Sequence, residues 1–323
     1  MENIYLGNTP LISEQKEVKG EFVHIDGEEF YKINNYDQMS DFFMTIVSIS
    51  DQWMFISSNG SLTAGRKNRD NALFPYYCVD KIHDSVDSAG SKTQVLGKKN
   101  SKVYLWEPFS KKTEAVYKSE RNIYKSVYGN KIVFEEINHD LEITFKYGWY
   151  FSNKYGFIKK SSISNNSDKS ISIEIMDGIR NILPFGFDYN FQNNLSNLLD
   201  AYKKNELIPE TKLGIFSLSS IPVDRAEPSE SLKATTVWSG GLKNSKILIS
   251  ERQTDNFQKG LAIHPETEIR QRSRKFKEEL RLFVPAAVTN PEYVILFLDR
   301  LLLLQRQYVA NDADVSPEYP LET

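Results

Sequence analysis

The sequence contains a single cysteine, no excess of basic residues and no long apolar run, and each absence excludes a class of protein. Cys78 has no second cysteine to pair with, which excludes a secreted module held together by internal disulfides. The 40 Lys and Arg residues are outnumbered by 43 Asp and Glu residues, and the net charge of -3 provides no global basic field for a nucleic acid. The longest apolar stretch, Val294–Leu304, is interrupted by Asp299 and Arg300 and is too short and too charged to span a bilayer.

The amino-terminal segment also lacks a targeting signal. Met1–Lys19 carries three glutamates and has no apolar core of the kind a signal peptide needs. We therefore expect a cytoplasmic protein whose partners include neither a membrane nor a nucleic acid. Glycine-rich phosphate loops and the His-Glu-x-x-His and Gly-x-Ser-x-Gly motifs are missing, so the sequence predicts no cofactor and no metal.

Aromatic and alternating apolar residues are abundant and indicate a β protein. Aromatic residues make up 12% of the chain, which is typical of sheet proteins and of surfaces that stack on ring-shaped ligands. Phe22–Ile25 and Glu29–Ile33 flank an Asp26-Gly27 turn signal, which predicts a hairpin. More than ten such short strands occur without a βαβ repeat. We therefore predict one large antiparallel β-sandwich over residues 1–270.

Several segments carry more specific expectations. Leucine spacing predicts a short helix within Asn193–Leu207, whereas Ala115–Tyr117 and Lys246–Ser250 have strand-like patterns. From about residue 271 to residue 323 the composition changes to a charged run followed by an irregular end. We predict a charged helical linker or an irregular tail there.

The long polar loop Ser57–Asp84 is the strongest candidate binding site. Sugar sites combine planar polar groups, which bind vicinal hydroxyls, with aromatic faces that cover the ring. The loop supplies both kinds in Arg66, Asn68, Arg69, Asp70, Asn71, Tyr76 and Tyr77, with Phe74 beside them. The alternative is a structural loop whose Asn and Asp side chains bond their own backbone while the aromatic rings pack in the core.

The segment Lys67–Tyr76 resembles the Asn-Ser-Arg-Glu-Asn-Arg-Leu-Thr-Pro-Trp stretch of the cellobiose-phosphorylase-like family, of the glycosyltransferase family thirty-six type. Arg69, Asn71, Leu73 and Pro75 match, whereas Asp70, Ala72 and Tyr76 replace Glu, Arg and Trp. In that family the stretch follows a glycine-rich hairpin, which Ser58–Ser61 resembles. The resemblance implies an amino-terminal supersandwich of the galactose-mutarotase type that contacts an oligosaccharide or polysaccharide.

The same resemblance implies that the catalytic machinery lies elsewhere. In the family the general acid and the phosphate-binding groups lie mostly in a following (α/α)6 barrel of several hundred residues, and only residues 271–323 follow the sandwich here. We therefore expect a carbohydrate-binding sandwich without activity of its own, whose partner is a barrel domain or chain. Two alternatives stay open: a non-catalytic assembly domain that pairs with another chain, and an aldose-epimerase-like enzyme with a His acid and a Glu base.

Overall fold

The computed structural model describes residues 4–12, 15–76, 79–112, 114–194, 202–220, 233–242 and 245–270, and these residues form an all-β antiparallel fold, as predicted. They belong to two compact units. Unit 1 comprises Met1–Asn181 with Thr254–Ala262, and unit 2 comprises Ile182–Gln253 with Ile263–Thr323. The predicted tail over residues 271–323 lies outside the described residues, and the single-domain boundary at residue 270 stays a prediction.

Unit 1 is built from antiparallel strands. In chain order its described strands are β1 (Tyr5–Leu6), β2 (Thr9–Pro10), β3 (Lys19–Ile25), β4 (Glu28–Asn34), β5 (Phe43–Val47), β6 (Gln52–Ser57), β7 (Leu62–Arg66), β8 (Gly90–Lys99), β9 (Lys102–Trp106), β10 (Ser119–Ser126), β11 (Ile132–Asn138), β12 (Ile143–Ser152), β13 (Gly156–Asn165) and β14 (Ser172–Arg180). The largest sheet has the order β13-β12-β11-β10-β4-β3. Two three-stranded sheets, β14-β8-β9 and β5-β6-β7, and the β1-β2 pair complete the described part of the unit.

The hairpin between β3 and β4 shows how local sequence determines register. Asp26 and Gly27 both have positive φ angles, 52° and 81°, as a two-residue hairpin turn requires. The turn pairs Ile25 with Glu28 and continues the pairing to the ends of both strands. The predicted hairpin is therefore confirmed.

The core of unit 1 lies against one face of the six-stranded sheet. Phe134 and Tyr147 are stacked there with ring centroids 4.9 Å apart, and Trp149 is almost fully buried. Trp106 on β9 donates from Nε1 to Oε1 of Glu136 on β11 at 3.0 Å, so the smaller sheet packs on the larger one. This packing of two sheets agrees with the predicted sandwich class.

Unit 2 contains a smaller antiparallel sheet of its own. Its described strands are β15 (Lys203–Ile208), β16 (Leu213–Leu218), β17 (Ala234–Trp238) and β18 (Glu268–Arg270), in the order β17-β16-β15-β18. Leu207, Ile249 and Ile269 form its buried cluster. The described α-helices of the chain are short, namely α1 (Val79–Ile82), α2 (Tyr189–Asn194) and α3 (Thr254–Gln258), and α1 and α3 belong to unit 1.

Two expectations about secondary structure were wrong, and a third falls mostly outside the described residues. A short helix was expected within Asn193–Leu207: α2 includes Asn193 and Asn194, residues 195–201 lie outside the described residues, and the segment ends in β15, which pairs with β16. Lys246–Ser250 is not a strand. Its alternation places Ile247 and Ile249 against the cluster, while the Ile249 carbonyl accepts a hydrogen bond from the Asn205 side chain at 2.9 Å. Ala115–Tyr117 is a turn, and the Ala115 carbonyl accepts from the Ile12 N–H at 2.8 Å.

Candidate functional site

The prediction of a single long loop over Ser57–Asp84 was wrong, because the largely buried strand β7 (Leu62–Arg66) lies within it. The predicted sugar-binding residues begin at Arg66, where β7 ends, and the polar loop is the segment that follows. Lys67 has a positive φ of 60°, and Asn68 caps a single 3-10 turn that follows it. The Asn68 Oδ1 accepts the Asp70 N–H at 3.2 Å and an Nδ2 hydrogen of Asn71 at 2.8 Å. The polar members of the predicted site are all exposed: Arg66, Asn68, Arg69, Asp70 and Asn71. The loop thus shows the self-ordering hydrogen bonds of a structural turn, and its role in sugar binding stays a prediction.

The aromatic residues after this loop separate into a core residue and a surface residue. Phe74 is buried, with its ring edge-on to Trp149 at 6.2 Å. Tyr76 is half-buried and lies edge-on to Trp53 at 6.1 Å. Tyr77 and Cys78 lie outside the described residues. The structure therefore assigns Phe74 to the core, and Tyr76 is the half-buried aromatic residue that follows the polar turn.

The glycine-rich hairpin Ser58–Ser61 lies at the opposite end of β7 from the predicted loop. The register pairs Ile56 with Leu62 at the hairpin end and Gln52 with Arg66 at the loop end. Four residue steps along a strand separate the two ends by roughly 13 Å. The predicted sugar-binding residues of the loop and the hairpin that precedes them therefore lie at two different places in unit 1.

Asn59 in this hairpin lines a polar cleft. Its Oδ1 accepts the Ser61 N–H at 3.0 Å, which fixes the hairpin, while its Nδ2 donates to Asp41 Oδ2 and to the His83 carbonyl, each at 3.0 Å. The side chain thereby connects β6-β7 to the segment that follows β4. We call the resulting space the acidic cleft. It has a volume of about 270 Å³, and its wall includes Tyr36, Asp37, Asp41, Asn59, Phe109, Lys111, Glu114 and Arg121.

A buried arginine forms the charged base of the acidic cleft. The Arg121 side chain is 6% exposed, and its Nε donates to Glu136 Oε2 at 2.9 Å while Nη2 donates to the Ser110 carbonyl at 3.0 Å. Burial on its own lowers the pKa of Arg121, but the carboxylates of Glu136 and Glu114, the Tyr36 hydroxyl and the hydrogen bond to Glu136 together raise it. Arg121 is therefore a permanent cation whose charge Glu136 balances from behind.

The carboxylates of the acidic cleft have few partners of their own. Asp41 Oδ2 is shared by Asn59 and by Lys111, whose Nζ is 3.4 Å away. Glu114 Oε1 forms a long ion pair with Arg121 Nη1, at 3.9 Å, which is too far for a hydrogen bond. Asp37 Oδ1 is buried and has no hydrogen-bond partner among the described residues. The cleft thus presents carboxylate acceptors beside the rings of Tyr36 and Phe109.

Two histidine pairs of unit 1 lack catalytic geometry. Ser57 Oγ lies 2.7 Å from His83 Nδ1, but Ser57 is fully buried and no substrate can reach it. His139 Nε2 lies 3.0 Å from Glu120 Oε1 on the exposed surface. An acid and a base in direct contact leave no space for a sugar between them, so this pair lacks the arrangement of an epimerase. Among the described residues, no three His, Cys, Asp or Glu side chains are grouped to hold a metal ion.

A second buried carboxylate, Glu107, gives unit 1 a predicted dependence on pH. Its Oε1 accepts from Gln94 at 2.5 Å and Gln258 at 2.8 Å, and its Oε2 accepts from Lys92 at 3.3 Å. Burial by itself raises the pKa of Glu107, but the Lys92 charge and the three hydrogen-bond donors together lower it below the ordinary 4.5. A lowered carboxylate pKa stabilises the fold above the ordinary pKa, and this stabilisation is lost as the pH falls through the folded-state pKa.

We therefore expect the midpoint temperature of thermal unfolding to decrease as the pH drops below about 4.5, and to decrease less steeply in Glu107→Gln. At neutral pH this variant should be less stable by about 1–3 kcal/mol, because it weakens a buried charge-assisted network. Calorimetry from pH 3 to pH 7 measures both effects. Glu174→Gln, which removes an exposed carboxylate from β14, is the control. Equal pH slopes for the two variants would contradict the assignment.

Comparison of the sequence with protein-family models and with curated proteins finds no match. The likeness to the cellobiose-phosphorylase-like family therefore rests on the residues of the segment Lys67–Tyr76 and the hairpin before it. In the described parts of the chain, none of the helices has the length and apolar character needed to cross a bilayer.

Most residues of the acidic cleft were not found from the sequence. Asp37, Asp41, Glu114 and Arg121 come from three separated segments, and none of them belongs to a recognisable motif. Asn59 is the exception, because it lies in the hairpin that the family resemblance singled out. That hairpin was the one signal pointing to this end of the unit.

Proposed function

We propose that unit 1 is a non-catalytic carbohydrate-binding domain and that the acidic cleft is its sugar site. The supporting observation is the placement of Asp37, Asp41 and Asn59 beside the rings of Tyr36 and Phe109 in one cleft. Carboxylate oxygens accept hydrogen bonds from vicinal hydroxyls, and an aromatic ring covers the apolar face of a pyranose. The resemblance to sugar-phosphorylase sandwiches supports the same class of ligand.

The size of the acidic cleft suits a short ligand. Its volume of about 270 Å³ lies just below the range of small-molecule sites, which span about 300–1,000 Å³. A cleft of this size accommodates one sugar unit, and the rest of an oligosaccharide extends into solvent. Turnover is not part of the proposal, because the resemblance assigns the general acid to a barrel that would follow residue 270.

Calorimetric titration of the protein with cello-oligosaccharides and chito-oligosaccharides tests this proposal. We expect Asp37→Ala and Asp41→Ala to weaken binding roughly ten-fold each, since each removes a hydrogen-bond acceptor worth about 1–2 kcal/mol. Arg69→Ala and Tyr76→Ala change the sequence-predicted loop at the other end of β7 and are the matched controls. Weakening in the controls alone would move the sugar site to the loop, and absence of binding to any sugar would end the proposal.

A second candidate function, an assembly domain, is favoured by an exposed apolar surface. The turns after β5, β10 and β12 lie together, because Val47 N–H donates to the Gly129 carbonyl at 3.1 Å and Ser50 hydrogen-bonds Asn153. Three large side chains on these turns are exposed: Ile49 by 95%, Tyr128 by 78% and Tyr155 by 72%. We call this surface the hairpin end. Apolar side chains grouped in this way are typical of protein contacts.

The two candidates are separated by which variants lose binding. For an assembly domain, replacing Ile49 and Tyr128 with serine should abolish complex formation with a barrel-bearing chain of the phosphorylase-like family, as seen by analytical ultracentrifugation. The Asp37→Ala variant should keep that complex. Sugar binding that survives in the Ile49 and Tyr128 variants supports the acidic cleft instead.

A further inference from the structure

We infer that the chain forms a symmetric dimer in which β3 of one copy pairs antiparallel with β3 of a second copy, centred on Phe22. The inference goes beyond the proposed sugar site, because it assigns an interaction surface and the partner that fits it. It follows from the outer edge of the six-stranded sheet, from the direction of the backbone groups along that edge and from the side chains beside them.

Strand β3 is an exposed edge of the six-stranded sheet. It lies at one end of the strand order, and none of the described strands pairs with its outer side. All of its residues except Val23 are exposed. Each residue pairs with one residue of β4, so the strand contains no bulge, and it contains no proline. An edge strand that lacks these two forms of protection is a template for another strand.

The opposite edge of the same sheet is protected. Lys159 on β13 has a side chain that is 5% exposed, and its Nζ lies 2.5 Å from Asp177 Oδ1 on β14. A buried lysine on an edge strand disfavours pairing with a further strand. A two-fold contact through β3 uses the same edge in both copies, so the assembly closes as a dimer and does not extend into a fibre.

The hydrogen bonds of β4 show which backbone groups of β3 point outward. The Val127 N–H donates to the Glu29 carbonyl at 3.2 Å, so the backbone of Glu29 faces β10. Backbone direction alternates along a strand, and Phe30 therefore faces β3. Phe30 pairs with Val23, whose N–H and C=O groups consequently face β4. The same alternation directs the N–H and C=O groups of Phe22 away from the sheet.

The outward-facing residues of β3 are self-complementary. They are Gly20, Phe22 and His24, which are spaced evenly about Phe22. A two-fold axis at the centre pairs Phe22 with Phe22 of the second copy and Gly20 with His24 of the second copy. Each of these pairs exchanges two backbone hydrogen bonds, as in any antiparallel ladder. The two sheets would then continue into one another across the contact.

The side chains at this edge favour a second copy. Phe22 is 65% exposed and lies edge-on to Tyr31 of β4, which is 42% exposed, with ring centroids 5.1 Å apart. The contact would place the two Phe22 rings side by side between the two Tyr31 rings, and aromatic cross-strand pairs stabilise a sheet. The Tyr31 hydroxyl occupies the space where a side chain at Gly20 would lie. It would therefore lie beside His24 of the second copy.

The charges along β3 do not oppose this contact. Lys19 Nζ lies 2.9 Å from Glu17 Oε2, and Glu21 Oε1 lies 3.7 Å from Lys32 Nζ. The charged side chains of the strand are thus balanced within their own copy. Gly20, opposite His24 of the second copy, has no side chain and no charge. The edge therefore pairs with itself without bringing unbalanced like charges together.

Sedimentation equilibrium of the whole chain tests the inference. The contact is small, so we expect a reversible dimer with a dissociation constant on the order of 10–100 μM. Phe22→Lys places two ammonium groups opposite each other and should weaken the dimer at least ten-fold. Tyr128→Lys is the matched control, because it changes an aromatic residue that is 78% exposed at the hairpin end, and it should leave the dimer unchanged.

A chain that stays monomeric throughout this concentration range would overturn the inference, and this result includes the case in which β3 accepts a strand only from a different protein. Equal weakening by Phe22→Lys and Tyr128→Lys, or weakening by Tyr128→Lys alone, would also overturn it. Assembly into fibres would show that the contact does not close.

Cross-linking through a new cysteine tests the register and does not depend on how tightly the dimer binds. In a Cys78→Ser background, which removes the single native cysteine, Phe22→Cys places two Cα atoms about 5.5 Å apart, within the range that a disulfide spans. His24→Cys is the control, because its two Cα atoms would be roughly 14 Å apart. We expect mild oxidation to link the Phe22→Cys chains at least ten-fold faster. Equal rates, or no disulfide-linked dimer in either variant, would overturn the inference.

Discussion

Replacing Arg121 with methionine should lower the free energy of unfolding of unit 1 by about 3–5 kcal/mol, because it leaves the Glu136 carboxylate buried without its cation. Glu136 cannot move to water, since it also accepts from Trp106 Nε1 at 3.0 Å and from the Phe109 N–H, and it is 2% exposed. Urea denaturation followed by tryptophan fluorescence measures the change, since Trp106 and Trp149 are buried in the same unit.

Two further variants identify the cause of this loss. Arg121→Met combined with Glu136→Gln should recover part of the stability, because the neutral amide still accepts a hydrogen bond and no longer carries a buried charge. Lys99→Met is the control. It breaks a surface ion pair of 2.8 Å with Glu142, whose side chains are 34% and 49% exposed, and should cost less than about 1 kcal/mol. A loss in Arg121→Met no larger than in the control would show that the Arg121–Glu136 pair does not hold unit 1 together.

Replacing Phe74 with alanine should cost about 3–5 kcal/mol, because it opens a cavity beside Trp149. For a unit of this size the loss corresponds to a decrease of roughly 6–20 °C in the unfolding midpoint. Phe74 also holds the carboxyl end of the polar loop, since the Leu73 N–H donates to the Ala64 carbonyl at 2.7 Å next to it. Limited trypsin digestion should therefore cut the variant faster at Lys67 and Arg69.

Tyr76→Ala is the comparison for Phe74→Ala, because Tyr76 is a half-buried aromatic two residues further on. We expect it to cost less stability and to leave the trypsin pattern of the loop nearly unchanged. If the two variants are equally destabilised, the burial difference between the two rings does not determine the stability of this segment. Circular dichroism melts and the timed digests together distinguish these outcomes.

Local features of the fold were predictable, and features made by distant contacts were not. The β3-β4 hairpin follows from Asp26-Gly27 alone, and β16 and β17 begin and end where their alternation predicts. The segment Lys246–Ser250 is not a strand although its residues alternate, because Ile247 and Ile249 pack in a cluster with Leu207 and Ile269, which lie far from them along the chain. Propensity is a weak signal when such tertiary contacts oppose it.

The candidate site shows the same limit. Composition identified a polar loop with aromatic residues but could not distinguish Phe74, which is buried, from Tyr76, which is half-buried. The acidic cleft depends on Asp37, Asn59 and Arg121 meeting in space. The order of strands in the sheets brings these residues together, and that order cannot be read from a local sequence pattern.

The path of the chain through the two units has a consequence for synthesis on the ribosome. Thr254–Ala262 belongs to unit 1, although the chain passes through Ile182–Gln253 of unit 2 before reaching it. In this late segment Phe257 is buried and Gln258 donates to Glu107 at 2.8 Å. A nascent chain that ends at residue 181 therefore lacks a donor to the buried Glu107 carboxylate. Unit 1 must wait until Ile182–Gln253 of unit 2 and Thr254–Ala262 have been translated before it can finish folding. The usual order, in which the amino-terminal domain folds first, therefore does not apply to its last step.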